Sequence, residues 1–162
     1  MQELLPIAER IAAVLKARGE TVAVSESSTG GLVSAALLSV PGASAYFLGG
    51  AVVYTKKARE VLLDIPDAAF ASLKGQKPLS EDFALVLARG LRAQFSSTWA
   101  LAEIGAAGPA GSRYGDPAGT SCIALAGPAE RTLIMETGRD ERIGNMRAFS
   151  KAALEMLLQA LG

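Results

Sequence analysis

Apolar positions recur along the chain with two different periods, and the two alternate. Ile7, Ile11, Val14 and Leu15 fall three or four apart, which predicts a first helix, with Pro6 in its opening turn and Gly19 as its cap. Thr21 to Val24 is short and β-branched and reads as a strand. Ser25 to Gly31 is a polar turn, after which Leu32, Ala36, Leu37 and Val40 return to helical spacing until Pro41-Gly42. Gly49-Gly50 punctuates the chain before a second strand, Ala51 to Tyr54, and Lys56 to Leu63 reads as a helix. The stretch from Asp64 to Leu79 is irregular, with a helical patch around Phe70. Ser80 is a good N-cap, with Glu81 and Asp82 in the first turn and Phe83, Val86, Leu87 and Leu91 as the apolar face. Trp99 to Ile104 is a third strand, and Gly105 to Gly119 is a loop of small residues. Thr120 to Leu125 and Arg131 to Met135 flank Gly127-Pro128 as a hairpin, and Met146 to Leu161 is a last amphipathic helix.

Strands alternating with helices, plus one hairpin, predict an α/β domain with a mostly parallel sheet covered on both faces. A length of 162 residues fits one domain. Charge changes the picture next: 16 basic and 16 acidic residues cancel, which argues against a broad nucleic-acid footprint but not against a local phosphate site. No apolar run reaches the length of a membrane span. The N-terminus lacks a basic segment ahead of an apolar run, and the single Cys122 fits a reducing compartment, so a cytoplasmic protein is expected. Cys122 lies among apolar residues and reads as core, as do Met135 and Met146. The chain has no histidine, which excludes Ser-His-Asp and Cys-His catalysis and the common zinc sites. Proton transfer falls to Lys, Tyr, Asp, Glu or a hydroxyl.

Three segments carry candidate chemistry. Ser25 to Gly31 sets hydroxyls and two glycines between a strand and a helix, at the strand end where ligands bind in parallel sheets. Free N–H groups at the helix start suit a phosphate, a carboxylate or an oxyanion, and a serine there is placed as a nucleophile. An N-cap followed by turn glycines is the plainer reading. Tyr54 to Arg59 brings a phenol and three cations to a second strand end, with Lys56 and Arg59 on one helix face; a solvated helix start is the alternative. Gly105 to Gly111 follows the third strand and lets backbone approach a ligand, or is simply a mobile loop.

Taken in order along the chain, these segments resemble the C-terminal domain family of the competence-damage-inducible protein CinA. Ser25-Glu26-Ser27-Ser28-Thr29-Gly30-Gly31 is similar to the family's A-E-S-C-T-G-G signature. Val40 to Gly50 is similar to the segment that follows it, Tyr54 matches the tyrosine of Y-S-N-x-x-K, Gly105-Ala106-Ala107-Gly108-Pro109 looks like T-G-I-A-G-P without its threonine, and Gly119-Thr120 matches G-T-V. The resemblance implies a three-layer αβα sandwich on a mixed sheet of about five strands. It implies hydrolysis of the carboxamide of nicotinamide mononucleotide (NMN), giving nicotinic acid mononucleotide and ammonia. Ser27 would be the nucleophile and Tyr54 a hydrogen-bonding group, with Ser28, Thr29, Gly30, Gly31, Gly105, Gly108 and Gly111 contacting the nucleotide. No metal and no organic cofactor is implied. A small-molecule nucleotide is the expected partner, with no nucleic acid and no membrane, and a homo-oligomer is expected. Full-length CinA has a further domain that this sequence lacks, so a stand-alone form is expected.

Four departures bear on the chemistry. The family's lysine, its serine-activating base, is Arg59; the threonine before G-I-A-G-P is Ile104; the cysteine after the serine is Ser28; and Lys74 to Ser80 departs from H-G-A-V-S. Deprotonating an arginine at pH 7 costs about 9 kcal/mol, too much for a base, against about 4 kcal/mol for a tyrosine. Tyr54 or Lys56 would then have to act as the base. The expected function is NMN-type amide hydrolysis, weakened by these changes. The alternatives are a paralogue that binds a nucleotide without turnover, and hydrolysis of another small amide or ester.

Overall fold

The structure is a computed structural model that describes residues 1–65 and 67–162. The helices are α1 (Leu5–Arg18), α2 (Leu32–Leu38), α3 (Lys56–Leu62), α4 (Glu81–Phe95) and α5 (Arg142–Leu161). The strands are β1 (Val22–Glu26), β2 (Phe47–Val52), β3 (Trp99–Ala106), β4 (Thr120–Ala126) and β5 (Arg131–Glu136), and 3-10 turns cover Ala43–Ala45 and Asp67–Leu73. They form one five-stranded sheet in the order β2-β1-β3-β4-β5.

β1 pairs in parallel with β2 and β3, while β3–β4 and β4–β5 are antiparallel. The sheet is therefore half parallel rather than mostly parallel. The reason is chain length: only residues 127–130 join β4 to β5, enough for a hairpin and too few for a crossover helix.

Alternate residues of the strands feed two separate cores, as a period of two requires. Val22, Val24, Leu101, Ile123 and Leu125 pack against Ile11, Leu15, Leu37, Phe149 and Leu154 of α1, α2 and α5. On the other face Ala23, Ala100, Ala102, Cys122 and Ala124 pack against Ala84, Leu87, Ala88 and Leu91 of α4. The small sheet side chains bring α4 close, and burying Leu87 and Leu91 contributes about 1.5–3 kcal/mol each. The result is a three-layer αβα sandwich. Cys122 belongs to the second core, where burial pushes its thiol up to about 12 and makes it inert.

Four expectations shift. β2 begins four residues before the expected start and runs through Gly49-Gly50. Those glycines are packing sites, not turn signals: a Cβ at Gly50 would strike Ser34 of α2, and one at Gly49 would meet Phe95 of α4 at 3.1 Å. α4 buries Ala84 and Ala88 beside Leu87 and Leu91, leaving Phe83 and Val86 half-buried. α5 starts four residues early because the Glu141 carboxylate caps it, accepting from the N–H groups of Ile143 and Gly144 at 2.9 and 2.6 Å. Met135 and Met146 are half-buried rather than core.

Candidate functional site

Register brings the strand ends together. Glu26 at the end of β1 lies opposite Val52 of β2, and Ser25 lies opposite Ala102 of β3. Neighbouring strands are about 4.8 Å apart, so the residues that follow β1 and β2 emerge side by side at the carboxyl edge of the parallel half, next to β3, which runs on to Ala106. β1 lies between β2 and β3, and Ser27 and Ser28 leave it between Tyr54, just past β2, and the end of β3 with Ala107 and Gly108 beyond it.

Two buried carboxylates build the loop after β1. Glu26 is fully buried and accepts from the N–H groups of Gly31, Val33 and Ser34 at 3.0, 3.0 and 2.8 Å. The N–H of Gly30 goes to Ser27 O. The expected free donors at the Gly30-Gly31 helix start are thus already used, by the Ser27 carbonyl and the Glu26 side chain. Glu103, 2% exposed, takes the donors of the preceding turn. It accepts from Ser27 N and Thr29 N at 3.0 Å each, from Thr29 Oγ1 at 2.9 Å, from Ser121 Oγ at 3.1 Å and from Ser28 Oγ. Ser28 and Thr29 are therefore buried supports of the loop. Ser27 differs: it is half-buried, and its hydroxyl bonds to no other side chain among the described residues.

A third element completes the edge. Arg142, at the start of α5, donates to Gly108 O at 2.6 Å and to the Tyr54 hydroxyl at 3.2 Å. Its guanidinium thereby ties the segment after β2 to the segment after β3, across the end of β1. Asn145, one turn on and fully buried, fixes that helix start by donating to Ala107 O and Arg139 O at 2.8 Å each and accepting from Thr137 Oγ1 at 2.6 Å. Met146 reaches Gly30, where a Cβ would come within 2.9 Å of its methyl group.

The cations of α3 do not converge on Ser27. Lys56 points to solvent and pairs with Glu60 at 3.7 Å. Arg59 stacks over Phe70 and Phe83, 4.7 and 5.3 Å from their centroids. Ile104 packs on the α4 face of the sheet. Near it in the sheet the buried Thr120 hydroxyl, opposite Ala106, has no hydrogen-bond partner among the described residues. Gly105 is closed off, since a Cβ there would strike Ser28 Oγ and meet Glu103 Oε1 at 2.9 Å. Gly111 lies farther along, against the backbone of Asp116 and Pro117.

The edge thus offers an unengaged serine hydroxyl, a phenol and a guanidinium in one place. That set can bind an anionic group and present a nucleophile, but it places no base on the serine. Sequence reasoning missed Glu103, Arg142 and Asn145. A glutamate inside the apolar run of β3 and an asparagine inside the α5 pattern were the available signals.

Comparison with known proteins adds the following. The sequence profile of the CinA C-terminal domain matches residues 4–161. A CinA-like protein of Anaeromyxobacter sp. (strain Fw109-5) is 40% identical over 153 residues, which cover 93% of this chain and 36% of that protein. A CinA-like protein of Synechococcus sp. (strain CC9902) is 37% identical over 149 residues, 88% of this chain and 35% of its own length. The chain spans little more than a third of these curated relatives. Among solved structures, the competence/damage-inducible protein CihA from Agrobacterium tumefaciens is similar with a TM-score of 0.86 at 30% identity, covering 98% of this chain and 94% of its own. A CinA superfamily protein from Klebsiella pneumoniae 700603 has a TM-score of 0.87 at 26% identity, covering 98% and 97%.

Proposed function

The chain belongs to the CinA C-terminal domain family, and from that premise we propose that it is a slow serine amidohydrolase acting on the carboxamide of NMN. The observation that supports this most is Ser27. Its backbone is pinned by Glu103, while its hydroxyl is left unengaged at the end of the central parallel strand, beside Tyr54 and Arg142. In this reading the Ser27 oxygen attacks the carboxamide carbon, the C–N bond breaks, and ammonia leaves with the serine proton. Water then hydrolyses the acyl-serine to the carboxylate product. The Arg142 fork suits the ligand's phosphate, since planar guanidinium groups bind phosphate through two parallel hydrogen bonds.

Slow turnover follows from the missing base. Arg59 is held on two aromatic rings and cannot give up a proton at neutral pH, Lys56 is paired at the surface, and the hydroxyl of Tyr54, the other candidate base, is held by the Arg142 guanidinium. A well-placed general base contributes ~10²–10⁴-fold, so its absence leaves turnover far below a typical ~10 per second. The stacking of Arg59 also favours a second reading, nucleotide binding without turnover.

Ammonia release from NMN, run beside calorimetric NMN binding, separates the readings. Slow release that Ser27→Ala abolishes, with binding kept within a few-fold, supports the hydrolase. Binding without release supports the second reading. Neither binding nor release removes both, and a rate near ~10 per second contradicts the slow-turnover argument.

A further inference from the structure

We propose that Glu103 is a built-in anion: its carboxylate fills a carboxylate-binding nest on the Ser27–Thr29 turn and opposes any negative charge that develops on Ser27. Three observations carry this. First, all five groups aimed at Glu103 can donate: two backbone N–H groups and the hydroxyls of Ser28, Thr29 and Ser121. Two N–H groups and surrounding hydroxyls are what proteins use to hold a carboxylate or an oxyanion. Second, Glu103 is 2% exposed and has no cationic partner among the described salt bridges, so these donors alone offset its desolvation. Third, the nest is not remote from the reactive group, because one of its donors is the N–H of Ser27 itself.

The nest explains two features of the site together. It forces the turn after β1 into the shape that presents Ser27, and it removes the two N–H groups that could otherwise receive an oxyanion. A tetrahedral adduct on Ser27 would form beside a negative charge that is itself buried, and a buried charge is screened less than one in water. Glu103 is thus a positioning residue that also sets specificity, disfavouring anionic groups at Ser27.

Glu103→Gln and Glu103→Ala separate shape from charge. A glutamine can turn its oxygen to the Ser27 and Thr29 N–H groups and its NH2 to Ser28 and Ser121, whose hydroxyls rotate to accept. It should keep the fold. The alanine empties the nest, and a small carboxylate can refill it, as cavities left by truncation bind small ligands of matching chemistry. Thermal unfolding of wild type and both variants is followed with sodium formate, sodium chloride and formamide, the two salts at equal ionic strength.

The expected result is a lowered Tm for Glu103→Ala that formate raises by several degrees more than chloride or formamide does, with no formate-specific response in wild type or Glu103→Gln. If Glu103→Ala is unfolded without additive, the same titration is read as refolding by circular dichroism. Equal responses to formate and chloride overturn the nest. The kinetic half rests on the hydrolase reading: Glu103→Gln should raise kcat for ammonia release from NMN several-fold with KM little changed. A kcat unchanged or lowered overturns the opposing-charge half. If neither wild type nor Glu103→Gln releases ammonia, the hydrolase reading falls and the kinetic half falls with it, while the formate titration, which needs no NMN, still decides the nest.

Discussion

At the scale of single residues, the site is governed by which carboxylates hold which donors. Glu26 shows the magnitude. It satisfies three N–H groups at the start of α2, and no other side chain caps that helix. Replacing it by alanine leaves buried donors unpaired at about 1–3 kcal/mol each before relaxation, so Glu26→Ala is expected to destabilise by about 3 kcal/mol or more, read from urea unfolding. A loss below about 1 kcal/mol would mean that water reaches those N–H groups. Arg142 gives a functional counterpart. Its guanidinium is exposed, and it is anchored on one side by Gly108 O. Arg142→Ala is expected to weaken NMN binding about tenfold or more, the usual scale for a charge-assisted phosphate contact, with little change in stability. Unchanged affinity in calorimetry would place the phosphate elsewhere.

At the scale of elements, the junction between the β3 loop and α5 fixes the mouth of the site. Gly108 has φ +107°, and a Cβ there would run into the Asp140 carbonyl oxygen. Gly108→Ala therefore meets both a left-handed backbone and a rigid backbone neighbour, and a stability loss of about 2–4 kcal/mol is expected in denaturant melts. The hairpin is tied to α4 by Arg89, which donates to both oxygens of Glu130 at 2.8 and 2.6 Å. The hydrogen bond from Arg89 holds the Glu130 carboxyl below its ordinary value of 4.5. A carboxyl depressed by folding adds stability above its unfolded pKa and loses it as pH falls through the folded one. Both side chains are largely exposed, so screening limits the pair to about 0.2–1 kcal/mol. Glu130→Gln is expected to lower Tm slightly at pH 7, and the difference should vanish as pH drops below 4.5. A difference that persists in acid would show that packing, not charge, matters there.

Across the whole molecule, stability is distributed unevenly between the two faces of the sheet. α1, α2 and α5 share one large apolar cluster with the strands. α3 buries no residue fully; among the described residues it meets the second core through half-buried Ala58 and through Arg59 stacked on Phe70 and Phe83. Elements with few buried contacts open at lower free energy than the core. Hydrogen exchange is expected to be faster in peptides covering 56–62 than in α1 or α5, and equal protection would contradict the asymmetry. Arg59 and Lys56 sit on α3, so the altered base position lies on a helix with no fully buried residue.

The sequence by itself determined the elements and their order, because apolar periodicity is a local property of the chain: α1, α2, α4, the three parallel strands and the hairpin were all legible. It also pointed to the candidate edge, because Ser27 and Tyr54 follow neighbouring parallel strands, but it placed Gly105 in a loop, whereas β3 runs on through Gly105 to Ala106 in its pairing with β4. It misread Gly49-Gly50, since a glycine that admits a helix looks the same along the chain as a glycine that turns it. It left open what Arg59 does, since stacking on Phe70 and Phe83 depends on residues distant in sequence. Only the tertiary structure decided who occupies the N–H groups after β1. Glu103 is 76 residues from Ser27 in the chain, and that distance is closed only when β3 pairs with β1. Hydrogen-bond partners of this kind are chosen by sheet register, and register is a property of the folded molecule.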